Sequence, residues 1–211
     1  HGIIIYSDDF GDNWTQSEVV PFTNTLTDID CISKVECWAT GHDATILHTN
    51  DSGKTWTKQY EDIVFDAPLL SIHMYDNGEG IAIGAFALSL RTTDGGQSWG
   101  YLFMDDDDFQ PHFNYAYGDS QAWRKSSANE AYAVGEIGKY YISDDKGLNW
   151  LVVSTGYDGS YWSGIKVDDG KSLLLGMSGN LTLITRYGPE DIVPPEKFTS
   201  IACYEAGYFK D

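Results

Sequence analysis

The stretch W-A-T-G-H-D-A-T-I-L-H-T-N-D-S-G-K-T-W, running from Trp38 to Trp56, decides the fold. Its last eight residues follow a rule: Ser or Thr, an Asp two positions on, a Gly two further, and a Trp three beyond that. The same rule holds for S-D-D-F-G-D-N-W at Ser7 to Trp14, T-T-D-G-G-Q-S-W at Thr92 to Trp99, and S-D-D-K-G-L-N-W at Ser143 to Trp150. Each copy carries the chemistry of a tight turn. The carboxylates of Asp9, Asp51, Asp94 and Asp145 accept backbone N–H groups, while Gly11, Gly53, Gly96 and Gly147 tolerate positive φ. Trp14, Trp56, Trp99 and Trp150 then pack the turn onto its sheet.

Working outward, an apolar strand precedes each turn, as in T-I-L-H-T from Thr45 and K-Y-Y-I-S from Lys139. Before it stands a second strand ending in Gly: W-A-T-G at Trp38, I-A-I-G at Ile81, Y-A-V-G at Tyr132 and L-L-L-G at Leu173. A third lies further upstream, in L-T-D-I-D-C-I, L-L-S-I-H-M-Y and W-S-G-I-K-V. With the segment after each Trp, every repeat supplies four antiparallel strands, A to D. Nothing alternates with helices, which excludes an α/β fold. The Trp spacings of 42, 43 and 51 residues match propeller blades of roughly 40 to 50 residues. The expected fold is all-β, a propeller of four-stranded antiparallel blades.

The pattern resembles the Asp-box, or BNR, repeat of β-propellers, and Trp38 to Trp56 is similar to the photosystem II assembly and stability factor-like propellers. Sialidase-type and xyloglucanase-type propellers are more distant likenesses. The resemblance runs nearly end to end, though the fifth unit, from Met177, lacks the Asp and Trp. It implies a non-catalytic binding or scaffold module for a membrane complex. The same resemblance implies an arginine-rich patch, and the chain has three scattered arginines, Arg91, Arg124 and Arg186.

At roughly 45 residues per blade, the 211 residues amount to four to five blades of a larger propeller. Residues 1–211 are read as one propeller fragment: His1 to Tyr6 enters a C strand partway, and Thr199 to Asp211 stops in a B strand.

Composition sets the partners. Thirteen basic against 32 acidic residues leave a net charge of −19. That charge disfavours phosphate backbones and anionic membranes, so no nucleic-acid partner is expected. No apolar run approaches the roughly 20 residues of a transmembrane helix, and no direct membrane insertion is expected. A protein or glycan partner remains.

Strand parity places the Asp boxes and the A–B turns on one face, with the B–C hairpins and D-to-A connections on the other. The second face is the expected recognition face, because long loops on a rigid scaffold carry binding residues. Its candidate residues are Asp105, Asp106, Asp107, Asp108, His112, Tyr115, Tyr117, Glu136, Tyr157, Tyr161 and Trp162, joined by His42, Asp43 and Phe113. Aromatic rings stack on sugars and carboxylates accept hydroxyl protons. The plainer reading is inter-blade packing for the rings and a solvated loop for the Asp run. A Ca²⁺ site at Asp105 to Asp108 lacks EF-hand spacing, and no metal or cofactor is expected.

Catalysis is the weaker expectation. A sialidase needs an arginine clamp, and Arg91 and Arg186, ending C strands, fall on the Asp-box side with Arg124. A two-carboxylate glycoside hydrolase would draw on Asp105 to Asp108 and Glu136. The remaining alternative is a structural cell-surface repeat. His48 and His73 fall in strands, where structural roles prevail.

Cys31 and Cys37 flank a short A–B turn, where antiparallel strands bring their side chains together. A disulfide is expected, against two buried free thiols. Cys203 occupies the A-strand position equivalent to Cys31. A disulfide and the acidity favour an extracytoplasmic setting.

Overall fold

The computed structural model describes residues 2–104, 110–118, 129–168, 171–185 and 187–192. Arg124, Arg186, Cys203, Asp105 to Asp108 and the segment from Thr199 lie outside the described residues.

The chain is all-β. A two-stranded sheet, β1 (Ile5–Tyr6) and β2 (Thr15–Gln16), precedes four sheets of four antiparallel strands. Blade 1 holds β3 (Leu26–Cys31), β4 (Cys37–Gly41), β5 (Ile46–Thr49) and β6 (Thr57–Tyr60). Blade 2 holds β7 (Leu69–Met74), β8 (Gly80–Gly84), β9 (Ser89–Thr92) and β10 (Gly100–Tyr101). Blade 3 holds β11 (Phe113–Gly118), β12 (Ala131–Gly135), β13 (Lys139–Ser143) and β14 (Leu151–Ser154). Blade 4 holds β15 (Tyr161–Asp168), β16 (Lys171–Gly176), β17 (Leu181–Thr185) and β18 (Gly188–Ile192). In every blade the strands pair in chain order, as repeated antiparallel hairpins.

The A strands β3, β7, β11 and β15 pack on one another in sequence, so the blades form an open arc. Side chains stitch these inner strands together. Thr27 Oγ1 donates to Leu69 O at 2.6 Å, Asp28 Oδ2 accepts from Ser71 Oγ and Ile72 N, and Asp30 Oδ2 accepts from Met74 N. Further along, Ala116 N donates to Ser71 Oγ and Asn114 Nδ2 to Tyr161 O. Burial holds the Asp28 carboxyl above the ordinary range, partly offset by those bonds.

The cores lie between blades. The B strands β4, β8 and β12 are buried along their whole length, as the Trp-Ala-Thr, Ile-Ala-Ile and Tyr-Ala-Val runs require. Trp38, Ile46, Leu69, Ile72 and Leu90 fill the space between blades 1 and 2, and Ile81, Ile83, Phe113 and Tyr141 the next. Between blades 3 and 4, Tyr117, Tyr132 and Tyr140 stack in a ladder at 5.3 and 5.9 Å.

The terminal Gly of the first three B strands has a steric reason. A Cβ on Gly41, Gly84 or Gly135 would stand 2.5, 2.1 or 2.6 Å from the carbonyl oxygen of Thr25, Pro68 or His112. In these three blades the chain entering the A strand crosses there at a distance only glycine permits.

The repeated turns share one geometry. Thr49 Oγ1 donates to Asp51 Oδ1 at 2.8 Å and accepts from Gly53 N; Ser7, Thr92 and Ser143 do the same for Asp9, Asp94 and Asp145. Each Asp also accepts the backbone N–H and the side chain of the residue just before the Trp: Asn13, Thr55, Ser98 or Asn149. That polar position is a member of the motif that the Ser/Thr-Asp-Gly-Trp reading leaves out, although all four copies carry Asn, Thr or Ser there. The bonds from Asn13 and Thr55 draw Asp9 and Asp51 down to about 2. Trp56 and Trp150 donate Nε1 to Gly53 O and Gly147 O. Trp56 is buried, whereas Trp14 is exposed and Trp99 half-buried. Every group of these carboxylates is occupied within its own turn, which is a scaffolding geometry.

Cys31 and Cys37 are directly paired across β3 and β4, and they form a disulfide.

Candidate functional site

The loop face is built from two kinds of segment that alternate around the arc. The first is the B–C turn, where each blade places two consecutive residues at positive φ: Asp43 and Ala44, Phe86 and Ala87, Ile137 and Gly138, Ser178 and Gly179. Each is closed by an N–H···O bond, Thr45 N to His42 O, Leu88 N to Ala85 O, Lys139 N to Glu136 O and Asn180 N to Met177 O. This is the primed two-residue turn that suits strand twist, and it ordinarily uses Asn and Gly.

The second kind is the D-to-A connection, which runs between neighbouring turns and is clamped by both. Ala44 N donates to Ala67 O, and Ala85 N to Pro68 O. Ala87 N donates to Pro111 O, and Glu136 N to His112 O. Gly138 N donates to Gly159 O, and Met177 N to Ser160 O. Side chains add to this seam. Glu136 Oε2 accepts from His112 N at 3.0 Å, and the His112 ring meets Phe86 edge-on at 4.9 Å. Asp62 accepts from Val64 N, Phe65 N and the Tyr101 hydroxyl, and these bonds hold its carboxyl below the usual range. The Tyr101 hydroxyl is correspondingly raised, first by Asp62 and then by Tyr60.

At the blade 3 to blade 4 end, Thr155, Gly156, Tyr157, Asp158 and Asn180 line a shallow, open cleft of about 370 Å³. Tyr157 donates its hydroxyl to Met177 O, and burial raises its ionisation above the ordinary range.

The structure divides the residues expected on this face. His42, Asp43, His112, Glu136 and Tyr157 lie on it. Tyr115, Tyr117, Tyr161 and Trp162 do not belong to loops: the first two are in β11 and the others open β15. Phe113 and Tyr161 are fully buried, and the Tyr161 hydroxyl is held by Thr155 and Thr182. Their rings are packing, not a stacking platform for sugars. The physical reason is that pairing with β12 carries 113–118 into an inner strand, where a bulge between Phe113 and Tyr115 sends Phe113 into the core shared with blade 2 and Tyr115 and Tyr117 into the one shared with blade 4. Between β11 and β12 stand residues 119–130, of which 119–128 lie outside the described residues. Asp105 to Asp108 lie outside the described residues. Among the described residues no three His, Cys, Asp or Glu side chains converge to hold a metal.

The opposite face carries a cluster of cations. Arg91 Nη2 lies 2.9 Å from Glu79 Oε1, and Lys146 Nζ 2.6 Å from Glu79 Oε2. Arg91 also donates Nε to Lys146 O at 3.2 Å and is thus an inter-blade strut. His48 pairs with Glu36 across 3.2 Å on the same side of blade 1.

Radial four-stranded blades, the first three each carrying a carboxylate turn, define a repeat β-propeller. The chain belongs to the family described as Photosynthesis system II assembly factor YCF48, whose sequence profile matches residues 6–211. Over 113 residues it is 33% identical to the Photosystem II assembly lipoprotein Ycf48 of Synechococcus sp. (strain CC9902), covering 52% of this chain and 31% of that protein. It is similar in fold to a solved YCF48 bound to D1 peptide, with a TM-score of 0.63 at 22% identity over 81% of this chain and 56% of that one. YCF48 from Cyanidioschyzon merolae gives 0.60 at 22% identity over 81% and 57%. An ancestral GH74 enzyme gives 0.72 at 12% identity over 94% and 30%, a likeness of fold. The chain spans about a third of the curated relative and just over half of each solved YCF48.

Proposed function

We propose that the chain is a non-catalytic propeller module that binds a protein partner during photosystem II assembly, the D1 polypeptide being the first partner to test. The observation that carries this reading is the family match across residues 6–211, joined by fold likeness to a YCF48 bound to D1 peptide. The architecture supports it: the turn carboxylates are consumed by their own turns, and the loop face is rigidly clamped, which lowers the ordering cost of binding. The setting we propose is extracytoplasmic, on the Cys31–Cys37 disulfide and the lipoprotein relative.

The test is fluorescence anisotropy with labelled peptides tiled across D1, measured against the folded chain. Saturable binding of one or a few neighbouring peptides is the expected outcome. Failure of every peptide to bind, with the chain folded by circular dichroism, overturns D1 as partner.

A further inference from the structure

Two of the B–C turns break the local chemistry of their own geometry. Phe86 sits at φ 55° and Ile137 at φ 52°, each at the first of the two left-handed positions. A primed turn is formed at least cost by Asn, Asp or Gly there, and a β-branched or bulky residue at positive φ is an outlier. Both side chains nevertheless point to solvent, 51% and 42% exposed. Apart from the edge-on contact of Phe86 with His112, neither side chain packs into a core cluster. An outlier of this kind, held in place by the clamped seam around it, motivates a functional reading.

They are not alone. Ile63, Val64, Phe65, Phe103 and Met177 are exposed on the same connections and turns. The seam bonds hold these segments side by side on one face, Pro68 O bonded to the turn holding Phe86 and His112 O to the turn holding Ile137. A band of exposed apolar groups on a monomer marks an interaction site.

The charge around the band is mainly negative. Residues 42–45, 61–68, 85–88, 110–112, 136–139, 155–160 and 177–180 contain Asp43, Glu61, Asp62, Asp66, Glu136 and Asp158 against one cation, Lys139. Lys58, at the flank, is paired with Glu61. The opposite face holds Lys34, Lys54, Arg91 and Lys146 on its turns and strand ends.

We propose that the B–C face docks a protein segment in which Lys or Arg residues stand beside apolar ones, with Phe86 and Ile137 as the apolar anchors and the surrounding carboxylates as the counter-charges. The proposal rests on the protein-binding reading above and adds the face and the chemistry of the partner. Charge complementarity selects a cationic segment over an acidic one, and the apolar anchors select against a merely basic one.

The probe is a labelled twelve-residue peptide alternating Lys and Leu, compared with versions carrying Glu for Lys or Ser for Leu. The folded chain is expected to bind the Lys–Leu peptide at least tenfold more tightly than either. Phe86→Asn and Ile137→Asn remove the anchors while placing a residue suited to the turn, so the double variant is expected to keep or raise its Tm and to lose at least tenfold in affinity. Asp66→Asn with Asp158→Asn, in exposed loops, gives a second and independent loss, and Asp76→Asn on the opposite face is expected to change nothing.

Equal binding by the Phe86/Ile137 variant, or equal binding of the Lys–Ser peptide, overturns the proposal. So does a concentration-dependent dimer in sedimentation that these substitutions abolish, because the occupant would then be a second copy. If D1 peptides bind and the anchor substitutions leave that binding intact, this surface falls while the assembly reading stands.

Discussion

Lys146 Nζ lies 2.6 Å from Glu79 Oε2, so the carboxylate turn of blade 3 is tied to the A–B turn of blade 2. Glu79 also takes Arg91 at 2.9 Å, and Lys146 sits 5.6 Å over the Tyr75 ring. The two cations depress the Glu79 carboxyl, the Lys146 hydrogen bond most of all. Glu79→Gln leaves two half-buried cations facing each other without their shared anion. Thermal denaturation is expected to show a loss of about 1–2 kcal/mol, larger at low salt than at 0.5 M because only partial burial protects the pair from screening. A loss that ignores salt would mean packing, not charge, holds this joint.

Two glycines of blade 2 give a contrast within one sheet, Gly84 ending β8 and Gly100 opening β10. A Cβ on Gly84 would meet Pro68 O at 2.1 Å, whereas one on Gly100 would meet nothing within 4 Å. Gly84→Ala must therefore push the chain entering β7 away from β8, at a cost of about 2–4 kcal/mol for overpacking against backbone. Gly100→Ala is expected to be neutral or to stabilise by about 0.4–1 kcal/mol through the unfolded chain. Urea midpoints of the two variants check both signs.

The disulfide closes a short loop, with six positions separating Cys31 and Cys37. Chain-entropy reasoning assigns such a loop about 2 kcal/mol. The inner strand β3 also keeps its side-chain bonds to blade 2 without the disulfide. Cys31→Ser with Cys37→Ser should therefore fold and melt several degrees lower, and reductant should shift the parent toward the variant but leave the variant unchanged.

The blade plan was legible because its signals are local. A turn needs Asp and Gly at fixed offsets, a fully buried B strand reads as an uninterrupted small-and-apolar run, and the two cysteines fall opposite each other once the turn between them is placed. The loop face was legible only as a location. Phe113, Tyr115 and Tyr117 belong to a strand whose bulge breaks the period-two pattern, and the acidic run before them draws the eye to a loop. Phe86 and Ile137 were hidden for the opposite reason: a residue at positive φ is recognised in sequence as Asn or Gly, and these two occupy such a position against their own preference.

His73 offers a test of how burial and a neighbouring charge compete. The ring is buried in β7, with Nδ1 3.7 Å from Asp30 Oδ2 and the Tyr75 ring edge-on at 4.8 Å. The carboxylate favours the protonated ring, but the loss of water dominates and brings His73 down to about 4 from its ordinary 6.5. The sign follows from where the proton goes. Between pH 6.5 and 4 the unfolded chain binds a proton that the folded chain refuses, so stability falls as pH falls through that window and levels off below it. The separation amounts to about 3 kcal/mol in full, of which about 2 kcal/mol is lost by pH 5. With a pI near 4.3, denaturation is best followed from pH 7.5 down to 5. His73→Gln, which cannot take the proton, is expected to start less stable at pH 7.5 and to lose about 2 kcal/mol less over the range. Parallel curves for parent and variant would place the acid sensitivity elsewhere, with the carboxylates of the four turns as the next groups to substitute.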